Sequence, residues 1–138
     1  MEIKHKHISV ENKIEALPAL AEMLEQLADE WGLNPGLTMN LNLVIEEAIT
    51  NVVFYAYDDK LPHLIDIDFE LDGNEFTIVI SDDGRPFDPT QKTDPDISLS
   101  VDDRQIGGLG IFLIRKIMDE VSYRRENKKN VLTLVKSI

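Results

Sequence analysis

LIDIDFEL, residues 64–71, followed by Asp72-Gly73-Asn74 and then EFTIVIS, residues 75–81, is the stretch that decides the fold. Both runs alternate apolar and polar residues with a period of two. That pattern turns one side of a strand to a core and the other to water. Asp-Gly between two such runs is a hairpin signal, so an antiparallel pair lies in the middle of the chain. On the C-terminal side the second strand runs into Asp82-Asp83-Gly84-Arg85-Pro86-Phe87-Asp88-Pro89, and a long polar stretch follows, roughly Arg85 to Gln105. An unstructured segment of that length in a compact domain is usually functional or disordered. Ile106–Met118 resumes a helical pattern, with Gly107, Gly108 and Gly110 at its start. Val121–Arg125 and Val131–Lys136 read as a final hairpin around Asn127-Lys128-Lys129-Asn130.

On the N-terminal side, Leu17, Leu20, Met23, Leu24, Leu27 and Trp31 recur at helical spacing, with Pro18 in the first turn, where its missing N–H costs little. Asn34-Pro35-Gly36 reads as a break. A second helix is expected from about Thr38 to Tyr57, its apolar side carrying Leu41, Val44, Ile45, Ala48, Ile49, Val52 and Ala56, and Asp58 to Pro62 ends it. Residues 2–10 alternate as a strand, with Ile3, His5 and His7 on one side and Lys4, Lys6 and Ile8 on the other. The order β-α-α-β-β-loop-α-β-β predicts an α/β (α+β) two-layer sandwich, a mixed and mostly antiparallel sheet with helices packed on one face.

The 138 residues are expected to form a single domain, 1–138, and 43% hydrophobic with 29% charged residues is an ordinary globular composition. With 14 Lys and Arg against 26 Asp and Glu, the net charge is −12. Such a surface repels nucleic acid and anionic membrane, so neither is an expected partner, while a small anion needs only a local site. There is no cysteine, which excludes disulfides, thiolate zinc sites and a cysteine nucleophile. No run approaches the roughly 20 apolar residues of a membrane span, and the opening MEIKHKHISV does not read as a signal peptide. The expected location is cytoplasmic.

Three motifs carry chemistry. Glu47 and Asn51, in EAITN, are four residues apart and share one side of the second helix. Taken alone they are the polar flank of an amphipathic helix; together a carboxylate and an amide suit a hard cation and a proton acceptor. Asp82 ends a hydrophobic strand just before Gly84. Alone it is an Asp/Gly turn, but a carboxylate there can accept from an exocyclic amine such as that of adenine, and the glycine lets backbone approach a flat ring. Gly107-Gly108-Leu109-Gly110 opens a helix whose free N–H groups suit phosphate. It is neither a Walker A loop, since no Gly-Lys-Ser/Thr follows, nor a Rossmann fingerprint, since polar loop precedes it.

In that order, an E-x-x-x-N helix, a D-x-G strand end, a loop and a G-G-L-G helix start resemble the GHKL (Bergerat-fold) ATPase superfamily. Within it the chain is most similar to the small stand-alone anti-sigma-factor serine/threonine kinases. EEAITN, the PFDP after Asp-Gly, IGGLGIFLIRKIMDEVSY and the terminal N-x-L-T-L-V-K (Asn130 to Lys136) carry the likeness over roughly residues 10–138. The resemblance implies an ATP- and Mg²⁺-dependent protein serine/threonine kinase. It would phosphorylate a STAS-type anti-anti-sigma protein and hold a sigma factor by partner switching, acting as a homodimer. It implies Glu47 as general base and Asn51 as Mg²⁺ ligand. Asp82 would read adenine with Gly84 beside the base; Gly108, Leu109 and Gly110 would meet the phosphates. The ATP lid would span about 88–106, with Arg104 as a phosphate contact, and Thr133 would reach the Asp82–adenine network through water. Two departures stand out: Pro86 replaces the family's second glycine, which suits the anti-sigma subgroup, and Tyr55 stands where many relatives carry His. No dimerisation-and-phosphoacceptor helix pair precedes the domain, so a complete histidine kinase is not expected. The alternative function is a nucleotide-dependent module that sequesters a regulator without transferring phosphate.

The remaining candidates read as structural. His5 and His7 are expected to be exposed on an edge strand, and zinc would need further ligands. His63 is expected to be solvated in a turn, Arg124, Arg125, Lys128 and Lys129 to form a solvated hairpin tip, and Trp31 to join the core. Ser98 and Ser100 fall in the lid.

Overall fold

The computed structural model describes residues 2–91 and 108–138. Its strands are β1 (Ile3–Glu11), β2 (Leu64–Asp72), β3 (Glu75–Asp82), β4 (Glu120–Glu126) and β5 (Lys129–Ser137). Its α-helices are α1 (Leu17–Trp31), α2 (Pro35–Asn51) and α3 (Gly108–Ile117). Among the described residues no helix is long and apolar enough to cross a membrane.

The strands form one sheet in the order β1-β2-β3-β5-β4, and every neighbouring pair is antiparallel. The two-layer α/β sandwich expected from the sequence is therefore present, but the sheet is not mixed. The reason lies in the last hairpin. The connection from β3 through α3 brings β4 back in the direction of β3, yet β5 inserts between them, so no parallel ladder forms.

The period-two alternation of the central hairpin is expressed as burial. Ile65, Ile67 and Phe69 of β2 and Phe76, Ile78 and Ile80 of β3 are all nearly inaccessible, while the intervening residues are partly or fully exposed. Leu132 and Leu134 continue this face on β5, opposite Ile80 and Ile78. Leu20, Leu24 and Leu27 of α1, Leu41, Val44, Ile45 and Ile49 of α2, and Ile111 and Ile114 of α3 cover it. Trp31 packs edge-on against Phe76 with ring centroids 6.2 Å apart, which places it beside the core as expected.

Helix α2 starts three residues before the predicted Thr38. Asn34 is its N-cap, accepting from the Leu37 N–H at 2.7 Å, and Pro35 occupies the first turn. What reads as a break is thus a start: proline is pre-organised for the first helical position, and asparagine satisfies an orphan N–H. The helix does not run on as α-helix to Tyr57. After Asn51 it passes into a π-turn over Val52–Ala56, a form that recurs at functional sites.

The β4–β5 turn is Asn127-Lys128, both with positive φ (52° and 63°), as a tight hairpin requires. Asn130, expected in the turn, already belongs to β5. His5 and His7 lie exposed on edge strand β1, where Asp68 Oδ1 is 3.1 Å from His5 Nε2 and 2.9 Å from His7 Nδ1.

Candidate functional site

The apolar face of the sheet ends on a polar row. Register pairs Arg125 of β4 with Asn130 of β5 and Asn130 with Asp82 of β3. Asp82 and Asn130 are among the few buried polar residues described. The Asn130 amide is saturated: Nδ2 donates to Asp82 Oδ1 (2.9 Å) and to the Arg85 carbonyl (2.8 Å), while Oδ1 accepts from Tyr123 Oη (2.6 Å), the Phe87 N–H (3.1 Å) and Arg125 Nη1 (3.2 Å). Asp82 Oδ1 also accepts the Gly84 N–H at 2.9 Å. One oxygen of the carboxylate is thereby fully used, and Oδ2 is left for a ligand. Burial raises the Asp82 pKa, and the donors from Asn130 and Gly84 oppose that rise.

Gly84 is demanded by sterics. A Cβ there would lie 2.3 Å from the Ala56 carbonyl oxygen, so the turn lies flat on the end of the π-turn. Two bonds fix that contact, from the Arg85 N–H to the Ala56 carbonyl and from Arg85 Nε to the Tyr55 carbonyl, both 2.8 Å. Tyr55 stacks on Phe87, with centroids 5.1 Å apart. Arg125 is not part of a solvated tip: its Nη1 donates to the Gly84 carbonyl at 2.8 Å. Arg124 does point outward, pairing with Glu126.

Asn51, at the last turn of α2, is buried, and its Nδ2 has no hydrogen-bond partner among the described residues. A buried donor without a partner is costly, and native proteins rarely carry one without a reason. Asn51 lines the same cavity as Asp82 and Asn130, together with Phe87, Pro89 and Tyr123. Glu47, one turn earlier, is partly buried, and burial, then the neighbouring Glu46, raises its pKa. Its carboxylate leans on α3: a Cβ on Gly110 would lie 2.7 Å from Glu47 Oε2. Gly110 therefore leaves room for the carboxylate as well as standing in the first turn of α3.

The structure thus brings together Glu47, Asn51, Asp82, Gly84 and Gly110. Gly108 begins α3, followed by Leu109. Arg104 lies outside the described residues, as do Ser98, Ser100 and the expected lid beyond Gln91. Its first part, Asp88–Gln91, is built into the fold. Pro89–Gln91 forms a 3₁₀ turn, Asp88 Oδ1 accepts the Thr90 N–H at 2.9 Å, and Arg115 of α3 donates to the Thr90 carbonyl.

Thr133 is not at the site. It pairs with Val79, on the opposite face of the sheet from Asp82, because successive residues of a strand alternate faces. Asn130, three residues earlier and directly across from Asp82, occupies the place assigned to it. The missed signal was parity: residues in register with Asp82 on the core face are even-numbered on β5. His63 also differs from expectation. It is half-buried and stacked on Tyr57 with centroids 4.2 Å apart.

A Mg²⁺–nucleotide fits these groups. The unpartnered Asn51 Nδ2 suits a phosphate oxygen and Asn51 Oδ1 a cation. Among the described residues no cluster of three or more His, Asp or Glu could hold a metal by itself.

Comparison with known proteins gives the same picture. The histidine kinase-like ATPase domain family matches residues 10–136. The serine/threonine-protein kinase BtrW of Bordetella bronchiseptica is 36% identical over 108 residues, covering 78% of this chain and 75% of that protein. The serine-protein kinase RsbW of Staphylococcus aureus is 40% identical over 90 residues, or 62% of this chain and 57% of that one. The crystal structure of the RsbU and RsbW domains of Rv1364c from Mycobacterium tuberculosis superposes with a TM-score of 0.70 at 15% identity, over 97% of this chain and 32% of that one. The histidine kinase domain of the blue-light-activated kinase EL346 from Erythrobacter litoralis gives 0.53 at 11% identity, over 90% and 60%. With a family match over residues 10–136, the chain belongs to the histidine kinase-like ATPase domain family, in the company of relatives named serine/threonine-protein kinase and serine-protein kinase.

Proposed function

We propose that the chain is an ATP-dependent protein serine/threonine kinase acting as an anti-sigma factor. Its substrate would be a STAS-type anti-anti-sigma protein, and its second partner a sigma factor held by binding. The observation that supports this best is the cavity in which Asp82, with one oxygen committed and one free, shares walls with the unpartnered amide of Asn51. In this reading Asp82 Oδ2 accepts from the adenine amino group, and Gly84, packed flat on the Ala56 carbonyl, holds the turn beside the base. Asn51 and the first-turn N–H groups of α3, including that of Gly110, bind the phosphate end. Bound Mg²⁺ supplies charge neutralisation of the phosphates, held in part by Asn51.

Glu47 receives the proton. The substrate serine oxygen forms a bond to the γ-phosphorus, and the bond from that phosphorus to the β–γ bridging oxygen breaks with its electron pair leaving on ADP. The hydroxyl proton passes to the Glu47 carboxylate. A raised carboxylate pKa strengthens it as a base. Most of the acceleration in such transfers comes from positioning and electrostatics, which matches a cleft whose base end is already hydrogen-bonded. Incubation with γ-labelled ATP and a STAS-type protein from the same organism tests the proposal. Transfer of label to a serine of that protein is expected. Nucleotide-dependent co-elution without label would replace the kinase by a binding module.

A further inference from the structure

Asp82 has an acidic neighbour, and the structure gives it an unusual set of partners. Asp83 Oδ1 accepts from the Tyr57 phenol at 2.6 Å, and the same phenol oxygen accepts the Asp83 N–H at 3.2 Å. Tyr57 thus closes a two-bond ring with one residue of the turn. Behind it the phenol ring lies on His63, whose Nε2 is 2.8 Å from Asp59 Oδ1 and whose Nδ1 is 3.6 Å from Asp83 Oδ1. His63 is tied by backbone to the end of β1: its N–H donates to Asn12 Oδ1 at 2.9 Å, and its carbonyl accepts the Asn12 N–H at 3.0 Å. Burial and the adjacent Asp83 hold the Tyr57 phenol well above its ordinary pKa, so it is a proton donor throughout the working range.

We infer that Tyr57 is a positioning residue for base recognition, its phenol holding Asp83 so that Asp82 Oδ2 keeps a fixed place relative to Asn51. Chain geometry makes this link direct. Tyr57 follows the π-turn that begins immediately after Asn51, and Asp83 immediately follows Asp82. The bond joins the residue at the phosphate end to the residue at the base end through six and one residues of chain. Asn130 grips the turn from the sheet side; Tyr57 is the side-chain grip on Asp83 from the helix side. Without it Asp83 keeps only the longer 3.6 Å approach of His63 Nδ1 and lies beside Asp82, two like charges on adjacent residues, while the turn is anchored through Arg85, Asn130 and Arg125. This role rests on adenine being read by Asp82.

Binding of ATP and of purine riboside triphosphate, which lacks the 6-amino group, separates positioning from mere support. Calorimetry with Mg²⁺ on the wild-type chain is expected to favour ATP by about five- to tenfold, the value of one hydrogen bond. Tyr57→Phe should lose most of that preference while binding the amine-free nucleotide nearly as before. Asp83→Ala, at an exposed side chain that the fold does not need, should do the same, and Asp83→Asn, which keeps an acceptor for the phenol, should restore the preference. If Tyr57→Phe and Asp83→Ala weaken both nucleotides equally, or leave the ratio intact, Tyr57 is only structural and the inference fails. If the wild-type chain shows no preference, it is the adenine reading of Asp82 that fails instead.

Discussion

The two ends of the cleft are built differently. At the base end, the Asn130 amide and Asp82 Oδ1 find their partners within the protein, and Gly84, Arg85, Arg125 and Tyr57 hold the turn beside them. At the phosphate end, Asn51 Nδ2 is buried without one and Glu47 is kept partly out of water. A saturated network is rigid and can discriminate without rearrangement, whereas an unsatisfied donor stores a cost that only a ligand relieves. On the proposed function, the base end is ready before nucleotide arrives and the phosphate end is completed by it.

The largest effect should come from the phosphate end without touching affinity. Glu47→Gln is expected to cut phosphotransfer by about 10²–10⁴-fold while calorimetric nucleotide binding stays as it was; undiminished transfer would remove Glu47 from the chemistry. Asn51→Ala should cost about 1.5–3 kcal/mol of Mg²⁺–ATP binding, the range for hydrogen bonds to charged groups. The same variant should melt no lower than wild type without ligand, because it deletes an orphaned donor. A large drop in melting temperature would mean that Asn51 has an unseen structural partner. At the base end the pattern reverses, and stability falls with binding. Gly84→Ala drives a methyl into the Ala56 carbonyl and should cost about 1–3 kcal/mol in urea unfolding. Asp82→Asn trades an acceptor for an ambiguous amide and should weaken ATP by about 0.5–1.5 kcal/mol, with calorimetry as the check.

The smallest effect is one of pH. Burial raises the folded-state pKa of both Glu47 and Asp82. The folded chain then holds these protons more tightly than the unfolded one. Their contribution is favourable at low pH and is lost as pH rises from the ordinary carboxylate range through the raised values. Glu47→Gln, which cannot ionise, should accordingly be slightly more stable than wild type at pH 7, and that advantage should vanish near pH 4. Equal differences in melting temperature at both pH values would contradict a raised Glu47.

Much of the fold was readable because it depends on local periodicity. The alternation of residues 64–81 and the 3.6-residue spacing of Leu17 to Trp31 appear as burial in the structure. Asn34-Pro35 was ambiguous because the same pair ends one element and begins another, and only the cap bond to Leu37 decides. The insertion of β5 between β3 and β4 was not readable, since strand order depends on which faces meet after a connection that spans α3. The site divides in the same way. Glu47, Asn51, Asp82 and Gly84 stand in short motifs, and the fold brings them together. Asn130, Arg125 and Tyr57 act across strands or between segments 26 to 48 residues apart, and no local pattern marks them. Thr133 was chosen one face wrong, an error that parity against Asp82 corrects.

Gly110 lets helix α3 sit directly against a side chain of α2. With no side chain between them, the Glu47 carboxylate rests against the first turn of a rigid ten-residue rod. The far end of that rod carries the exposed Arg115 and Lys116. Any side chain at position 110 would push the Glu47 carboxylate off its seat, so one position of α3 decides where a group carried by α2 can lie.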